Sequence, residues 1–346
     1  MKLGADVGGY EIVTKPTNAG AGKCLWAFAT KDGAEYFIKE FLELKRPRPD
    51  GPGTPEQKKV MLAQCEEFEL RHRTIMDRID PMAPDAGNLV VARDFFCEGT
   101  RYYKVTERLH PAELVAPHEL PPRQMRVLLL TLAASLQFLH RIGIVHGDLK
   151  PDNILLHNPS ARGLYTAKLI DFDDAYLAGA PPARDVIGGD HVHGAPEWIR
   201  YLHDGGVGPE RLTTAVDVFA FALVVHTYLT GALPVHDGSF TSTAEAVNTG
   251  VTPVLDERLA PATSALLRRA LSADPAVRPA MAEMREVLDD EAALRLTVPR
   301  AGGSRLRSSF GSRPPVAAET SRATTRHADR GSRLRINLTG RPGGTD

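Results

Sequence analysis

Cysteine is scarce in this 346-residue chain: Cys24, Cys65 and Cys97 are odd in number, widely spaced and without any C-x-x-C pair. That pattern argues against a disulfide framework or a structural zinc, and a reducing cytoplasmic setting is the expectation. Long apolar runs are missing as well. No stretch approaches the ~18 to 20 residues of a membrane span, and the N-terminus lacks the apolar run of a signal peptide, so a soluble chain without a membrane role is expected. Serine and threonine are absent from residues 171–197. Net charge is nearly absent at −1, but it is unevenly spread: residues 298–346 hold ten Arg, no Lys and three acids, which leaves the rest of the chain acidic.

What is present organises into two parts. Tyr10-Val13, Leu25-Thr30 and a run ending in Tyr36-Phe37-Ile38-Lys39 are short β-type segments separated by Gly-containing turns, which reads as a small antiparallel sheet. Pro47, Pro49, Pro52 and Pro55, with Gly51 and Gly53, form an irregular insert before a helical stretch over 56–79. Strand-like runs follow at Leu89-Arg93 and Tyr102-Glu107. Beyond Pro121 the apolar spacing becomes helical, at Met125-Leu139, Ala215-Leu229 and Ala262-Leu271. A β-rich first part and an α-rich second part predict two lobes with a cleft between them. Residues after Thr297 are rich in Arg, Gly, Ser, Thr and Pro and have few large apolar side chains, so disorder is expected there.

The string His146-Gly147-Asp148-Leu149-Lys150-Pro151-Asp152-Asn153 precedes the apolar run Ile154-Leu155-Leu156 and then Ile170-Asp171-Phe172. It resembles the catalytic loop and metal-binding segment of eukaryotic-like (Hanks-type) bacterial serine/threonine protein kinases, over roughly residues 8–290. The resemblance implies an α+β bilobal fold. Its β-rich N-lobe with hinge would span 8–109, its α-helical C-lobe 110–296, and a disordered basic tail 297–346.

Phosphoryl transfer requires a positioned hydroxyl and cations that neutralise charge on phosphate oxygens. By resemblance, Asp148 orients the substrate hydroxyl, Lys150 sits by the γ-phosphate of ATP, and Asn153 and Asp171 hold Mg²⁺, a cation that prefers oxygen ligands. Lys39 closes the third strand, where the family places the Lys that contacts the α- and β-phosphates. Its acidic partner is expected on the helix bearing Glu66, Glu67 and Glu69. Glu69 is favoured because it lies about two turns before Met76 on one face, and the other two stay open. The loop Thr17-Gly22 keeps only the third glycine of G-x-G-x-x-G, Gly22, with an extra Gly20. Gly22-Lys23 is no P-loop, because Thr17 fills the first glycine position and Cys24 follows the Lys. Cys24 and Leu155 are expected to sandwich adenine, with Phe37 standing in place of a small residue. The hinge is Glu107-Arg108-Leu109, with Thr106 as gatekeeper and backbone groups of Glu107 and Leu109 meeting the adenine edge.

Ala195-Pro196-Glu197 resembles the end of an activation segment, Asp217 opens the central helix, and Arg278 is expected to pair with Glu197. A small-molecule phosphotransferase of the aminoglycoside or choline kinase type shares His-Gly-Asp and Asp-Phe-Asp-Asp. Lys150, Ala195-Pro196-Glu197, Asp217 and Arg278 favour protein substrates instead. A pseudokinase scaffold is the other alternative, because Asp173 stands where the family has Gly. Lys39, Asp148, Asn153 and Asp171 all survive, however, and such a scaffold has no need of them.

Gly147 replaces the Arg of His-Arg-Asp, so the chain reads as a non-RD kinase. Its loop is expected to be held by acids such as Asp173, Asp174 and Asp190, with Tyr176 the only hydroxyl there open to modification. The tail repeats Gly303-Ser304-Arg305-Leu306-Arg307 as Gly331-Ser332-Arg333-Leu334-Arg335, and its hydroxyls among arginines are candidate sites for a phosphopeptide-binding module. A nucleic-acid role is not expected of a tail whose one aromatic ring is Phe310. The Pro-rich insert and Asp171-Phe172-Asp173-Asp174-Ala175-Tyr176 resemble kinases that work beside a PP2C-type phosphatase and a von Willebrand-type domain protein.

Overall fold

The structure, a computed structural model, describes residues 1–20, 22–110, 112, 116–158, 164–203, 206–236 and 238–297. The tail from 298 onward, with its repeated string and candidate modification sites, lies outside the described residues.

β-branched and aromatic residues in alternation build an antiparallel six-stranded sheet from β1 (Asp6–Val7), β2 (Tyr10–Ile12), β3 (Cys24–Lys31), β4 (Ala34–Phe41), β5 (Ala92–Glu98) and β6 (Arg101–Glu107), in the order β1-β2-β3-β4-β6-β5. The register sets Trp26 opposite Lys39, Phe28 opposite Phe37 and Lys39 opposite Lys104. Alternation along the strands then places Trp26, Phe28, Phe37, Lys39 and Lys104 on one face of the sheet. The strand expected at Leu89-Arg93 begins instead at Ala92. Leu89 and Val90 are drawn out of that strand because the backbone of 88–90 pairs with Leu169, which ties the sheet region to the helical part.

Helix α1 (Pro55–Arg78) starts at a capping box, in which Thr54 and Gln57 exchange side-chain to backbone bonds of 3.2 and 2.9 Å, with Pro55 in the first turn. Only Cys65, His72 and Ile75 are buried along its 24 residues, so its C-terminal half does most of the packing.

The second part is helical: α2 (Pro122–Arg141), α3 (Pro196–Leu202), α4 (Ala215–Thr230), α5 (Thr243–Asn248), α6 (Pro261–Ala270) and α7 (Met281–Leu288). Helix α4 is buried nearly all round, which explains why its apolar run has no polar stripe. It ends at Gly231, whose φ of +83° is the left-handed cap that a side chain disfavours. Short pairs β7 (Ile144–Val145) with β10 (Tyr176–Leu177), and β8 (Ile154–His157) with β9 (Thr166–Leu169), fix the loops between helices. One large core, from Leu128, Leu132 and Leu136 of α2 through Phe219 and Phe221 of α4, carries these loops at its edge, facing the sheet. Among the described residues, no helix is long and apolar enough to cross a membrane.

Candidate active site

The loop from His146 to Asn153 is held from below by Asp217 of α4. This fully buried carboxylate accepts backbone N–H bonds from His146 at 2.8 Å and Gly147 at 3.1 Å, and His140 Nε2 lies 3.0 Å away. His146 in turn packs on Phe172, with ring centroids 5.1 Å apart, and donates from Nε2 to the Ile170 carbonyl at 3.0 Å. The two polar segments, 146–153 and 170–173, are therefore joined before any functional side chain is considered.

On this frame Asp148 is oriented by two neighbours. Lys150 Nζ donates to its two carboxylate oxygens at 3.0 and 2.7 Å, and Asn153 Nδ2 donates to its Oδ2 at 2.9 Å and to its carbonyl at 2.7 Å. With both amide hydrogens of Asn153 engaged, its carbonyl oxygen remains as a ligand. Asp171, at φ +64° in the left-handed region, supplies a carboxylate. An amide oxygen and a carboxylate are hard oxygen donors that suit Mg²⁺, which completes its shell with waters and phosphate oxygens. Among the described residues no cluster of three His, Cys, Asp or Glu forms an all-protein metal cage.

The cleft between sheet and loops has about 830 Å³ of space open to solvent. Its roof is aromatic, with Trp26 and Phe37 stacked at 5.4 Å and Phe28 set edgewise to both. Glu107, Leu109, Leu155 and Gly20 line it. Gly22 does not line it, and neither does Cys24. The latter shares the sheet face of Trp26 but lies nearer α1, buried with Phe41, Cys65 and Tyr102, and burial pushes its thiol up to about 12. The β3 ring that lines the cleft is Trp26, one alternation further along the strand. Its Nε1 donates to the Ala19 carbonyl at 2.9 Å and closes the glycine-containing loop.

The acidic partner of Lys39 departs most from expectation. Glu69 accepts from Tyr102 Oη at 2.5 Å and pairs with Arg46, on the far side of an aromatic cluster, and Glu66 and Glu67 are exposed. Lys39 Nζ instead donates to Asp171 at 2.8 and 2.9 Å and to Asp173 Oδ2 at 2.7 Å, while Lys104 Nζ donates to Asp173 Oδ1 at 2.7 Å. The α1 residue that faces this group is His72, with Nε2 3.9 Å from Asp173. His72 donates from Nδ1 to the Phe68 carbonyl, and burial, helped by Lys104, pushes it down to about 3, so it is neutral. Burial works against every charge in this cluster. The two carboxylates outweigh burial at Lys39 and hold it protonated, and Lys104 and Lys39 outweigh it at Asp173 and keep that residue ionised. At Asp171, burial and the neighbouring Asp173 charge push the carboxyl up.

No motif marks Lys104 in the sequence. A lysine inside the apolar strand Tyr102-Tyr103-Lys104-Val105 was the available signal, because a buried cation needs an anion.

The residues just after Asp173 pack against the loop that carries Gly147. At Gly147, φ is +79° and a Cβ would come within 2.5 Å of the Asp174 carbonyl, so the Arg of His-Arg-Asp has no room. Gly188 gives way to the Asp174 carboxylate in the same manner. Tyr176, expected to be open to modification, is 2% exposed and paired with Val145 in a strand. Asp190 accepts from the backbone of Val192 and His193 and from His193 Nδ1, all within 3.0 Å. These bonds and the His193 charge outweigh burial and hold Asp190 at about 2. Glu197 and Arg278 form the expected pair, two parallel bonds of 2.7 Å between nearly inaccessible side chains.

Comparison with known proteins agrees with this geometry. Residues 62–289 match the protein kinase domain. The chain is 32% identical over 190 residues to a serine/threonine-protein kinase, pkn2, of Myxococcus xanthus, covering 53% of this chain and 21% of that protein. It is 32% identical over 158 residues to the serine/threonine-protein kinase ULK3 of Xenopus laevis, covering 45% and 31%. It is 25% identical over 256 residues to a protein kinase and PP2C-like domain-containing protein of Arabidopsis thaliana, covering 64% and 37%. The chain thus spans less than two fifths of the length of each of these relatives. With the β-rich first part, the helical second part and the loop bearing Asp148, Lys150 and Asn153, this chain belongs to the protein kinase family.

Proposed function

We propose that the chain transfers the γ-phosphoryl group of Mg-ATP to serine or threonine hydroxyls of proteins, as a non-RD kinase whose activation segment is held without loop phosphorylation. The observation that carries this reading is the Asp148 carboxylate, fixed by Lys150 and Asn153 in a loop bonded to Ile170, beside the segment 170–173 that lines the cleft. Asp148 orients the acceptor hydroxyl and takes its proton, and Lys150 balances charge on the transferred group. Asn153 and Asp171 hold magnesium, which when bound neutralises phosphate oxygens. Lys39 contacts the remaining phosphates, and the adenine lies between the Trp26 and Phe37 roof and Leu155, with its edge against the backbone of Glu107 and Leu109.

Protein acceptors are favoured over small molecules by the buried Glu197–Arg278 pair, which braces the segment on which a peptide would rest. A pseudokinase role is disfavoured by the complete set of Lys39, Asp148, Asn153 and Asp171. For partners, the Arabidopsis relative whose name joins a kinase to a PP2C-like domain supports a phosphatase working alongside this chain. The von Willebrand-type partner, from sequence resemblance, the phosphopeptide-binding module, from the tail's hydroxyls among arginines, and the cytoplasmic location, from the cysteine pattern, belong to the same proposal.

The test is transfer of labelled phosphate from ATP to generic protein, run beside aminoglycosides and amino alcohols. Label on Ser or Thr of protein is the expected result. Label confined to the small molecules, or none at all, contradicts the proposal.

A further inference from the structure

Lys39 needs a fixed carboxylate, because a flexible lysine that wanders among acids cannot hold a phosphate in line. The residues of α1 do not supply one: Glu69 is engaged by Tyr102 and Arg46, Glu66 and Glu67 are exposed, and the facing residue is the neutral His72. Asp173 lies two residues after Asp171, accepts from Lys39 at 2.7 Å, and is held from its other oxygen by Lys104.

We propose that Asp173 is the positioning residue for Lys39, so that the acid expected on helix α1 has moved to the segment after β9, with Lys104 as its anchor. This rests on the kinase reading above.

Three features support the exchange. His72 on α1 is followed by Ile75, Met76 and Ile79, which puts it on the helix's packing face, one turn beyond Glu69. Histidine therefore occupies the inward position from which an α1 acid could face Lys39, and an acid occupies the position where a glycine is expected. Lys39 and Lys104 are cross-strand partners on one sheet face, with side chains 11% and 9% exposed. Two ammonium groups so placed need an anion between them, and Asp173 gives one oxygen to each. Finally, a carboxylate cannot give the same lone pairs to a lysine and a metal. With Asp173 in place, Asp171 can leave Lys39 and serve as a ligand without stranding the lysine. One consequence is that the lysine and its acid stay together wherever α1 moves, so displacement of α1 does not break the pair.

The test compares Asp173→Asn, Asp173→Gly, Glu69→Gln and the exchange His72→Glu with Asp173→Gly, all in the full chain. The readouts are kcat and KM for ATP, and affinity for a non-hydrolysable ATP analogue followed by Trp26 fluorescence. Asp173→Asn is expected to lose about 100-fold in kcat while analogue affinity stays within about threefold, and Glu69→Gln is expected to stay within about twofold in both. The exchange is expected to regain about tenfold over Asp173→Gly.

Retention of kcat in Asp173→Asn, or an equal loss in Glu69→Gln, overturns the inference. Should Asp173→Asn fail to fold, or the wild type transfer no phosphate, a crystal structure of the wild type with Mg²⁺ and the analogue decides. Lys39 bonded to Asp173 upholds the pairing, so that an absence of transfer then counts against the kinase reading alone, and Lys39 bonded to a residue of α1 refutes the inference.

Discussion

Asn153 donates both hydrogens of its amide to Asp148, one to the carboxylate at 2.9 Å and one to the carbonyl at 2.7 Å. One side chain thereby fixes the orientation of the carboxylate proposed as catalytic and leaves its own oxygen for a cation. Asn153→Ala is expected to lower kcat by about 100-fold and to raise the Mg²⁺ concentration needed for half-maximal rate, whereas a purely structural role would lower thermal stability and leave the Mg²⁺ requirement unchanged. A Mg²⁺ titration of initial rates checks this.

Arg278 and Glu197 form a pair that solvent cannot reach, and Arg278 also donates to the carbonyls of Ser272 and Ala215. Removing the arginine strands a buried carboxylate, so Arg278→Leu is expected to cost about 3 to 5 kcal/mol. Glu197→Gln should cost less, because an amide retains one acceptor for the guanidinium. Urea denaturation of the two single variants and the double variant checks both statements, and the double variant should be less damaged than the sum of the singles.

Gly147 illustrates an absence with a steric cause. A side chain there would be strained by φ +79° and would collide with the Asp174 carbonyl. Gly147→Arg is expected to destabilise the protein by more than about 1 kcal/mol and to reduce activity, because the loop must shift and carries Asp148 with it. Urea midpoints and kcat measured together check it.

Asp174 provides a pH signature. Burial, with Asp148, Asp173 and Asp171 close by, pushes its carboxyl up to about 7. The native state then holds this proton where the unfolded chain, at about 3.9, has released it. Between these values the native state binds more protons, so stability falls as pH rises through the window. Asp174→Asn carries no charge at any pH. Its melting temperature relative to wild type should therefore rise from about pH 5 to about pH 8, and a difference that is flat across this range contradicts the assignment.

Much of this site could be read from the sequence because its parts are close in the chain. The run from His146 to Asn153 folds on itself, so its resemblance to a kinase catalytic loop was enough to bring Asp148, Lys150 and Asn153 together, and the apolar run of α4 announced a buried helix. Contacts that depend on how one element is rotated against another were harder. The choice among Glu66, Glu67 and Glu69 required the phase of α1 against the sheet, and that helix buries so few residues that periodicity could not supply it. Cys24 and Trp26 share a strand face, so alternation could not say which of them roofs the cleft; the answer lay in how far along β3 the loop closes. The burial of Tyr176 is hidden from the sequence for a related reason, since a two-residue strand paired with Val145 has no pattern of its own. Asp173 and Lys104 each carry a signal in the sequence, an acid in a glycine's place and a lysine in an apolar strand, but they lie too far apart in the chain for their pairing to be read from it.

The central claim is that Asp148, Lys150, Asn153, Asp171 and Lys39 act together in phosphoryl transfer. The most direct test measures labelled phosphate transfer from ATP to protein by wild type and by Asp148→Asn, with nucleotide-analogue affinity taken on the same samples. The expected result is incorporation on Ser or Thr by the wild type and at least about a 1,000-fold lower kcat in the variant, with affinity little changed. Equal transfer by the two proteins would contradict it.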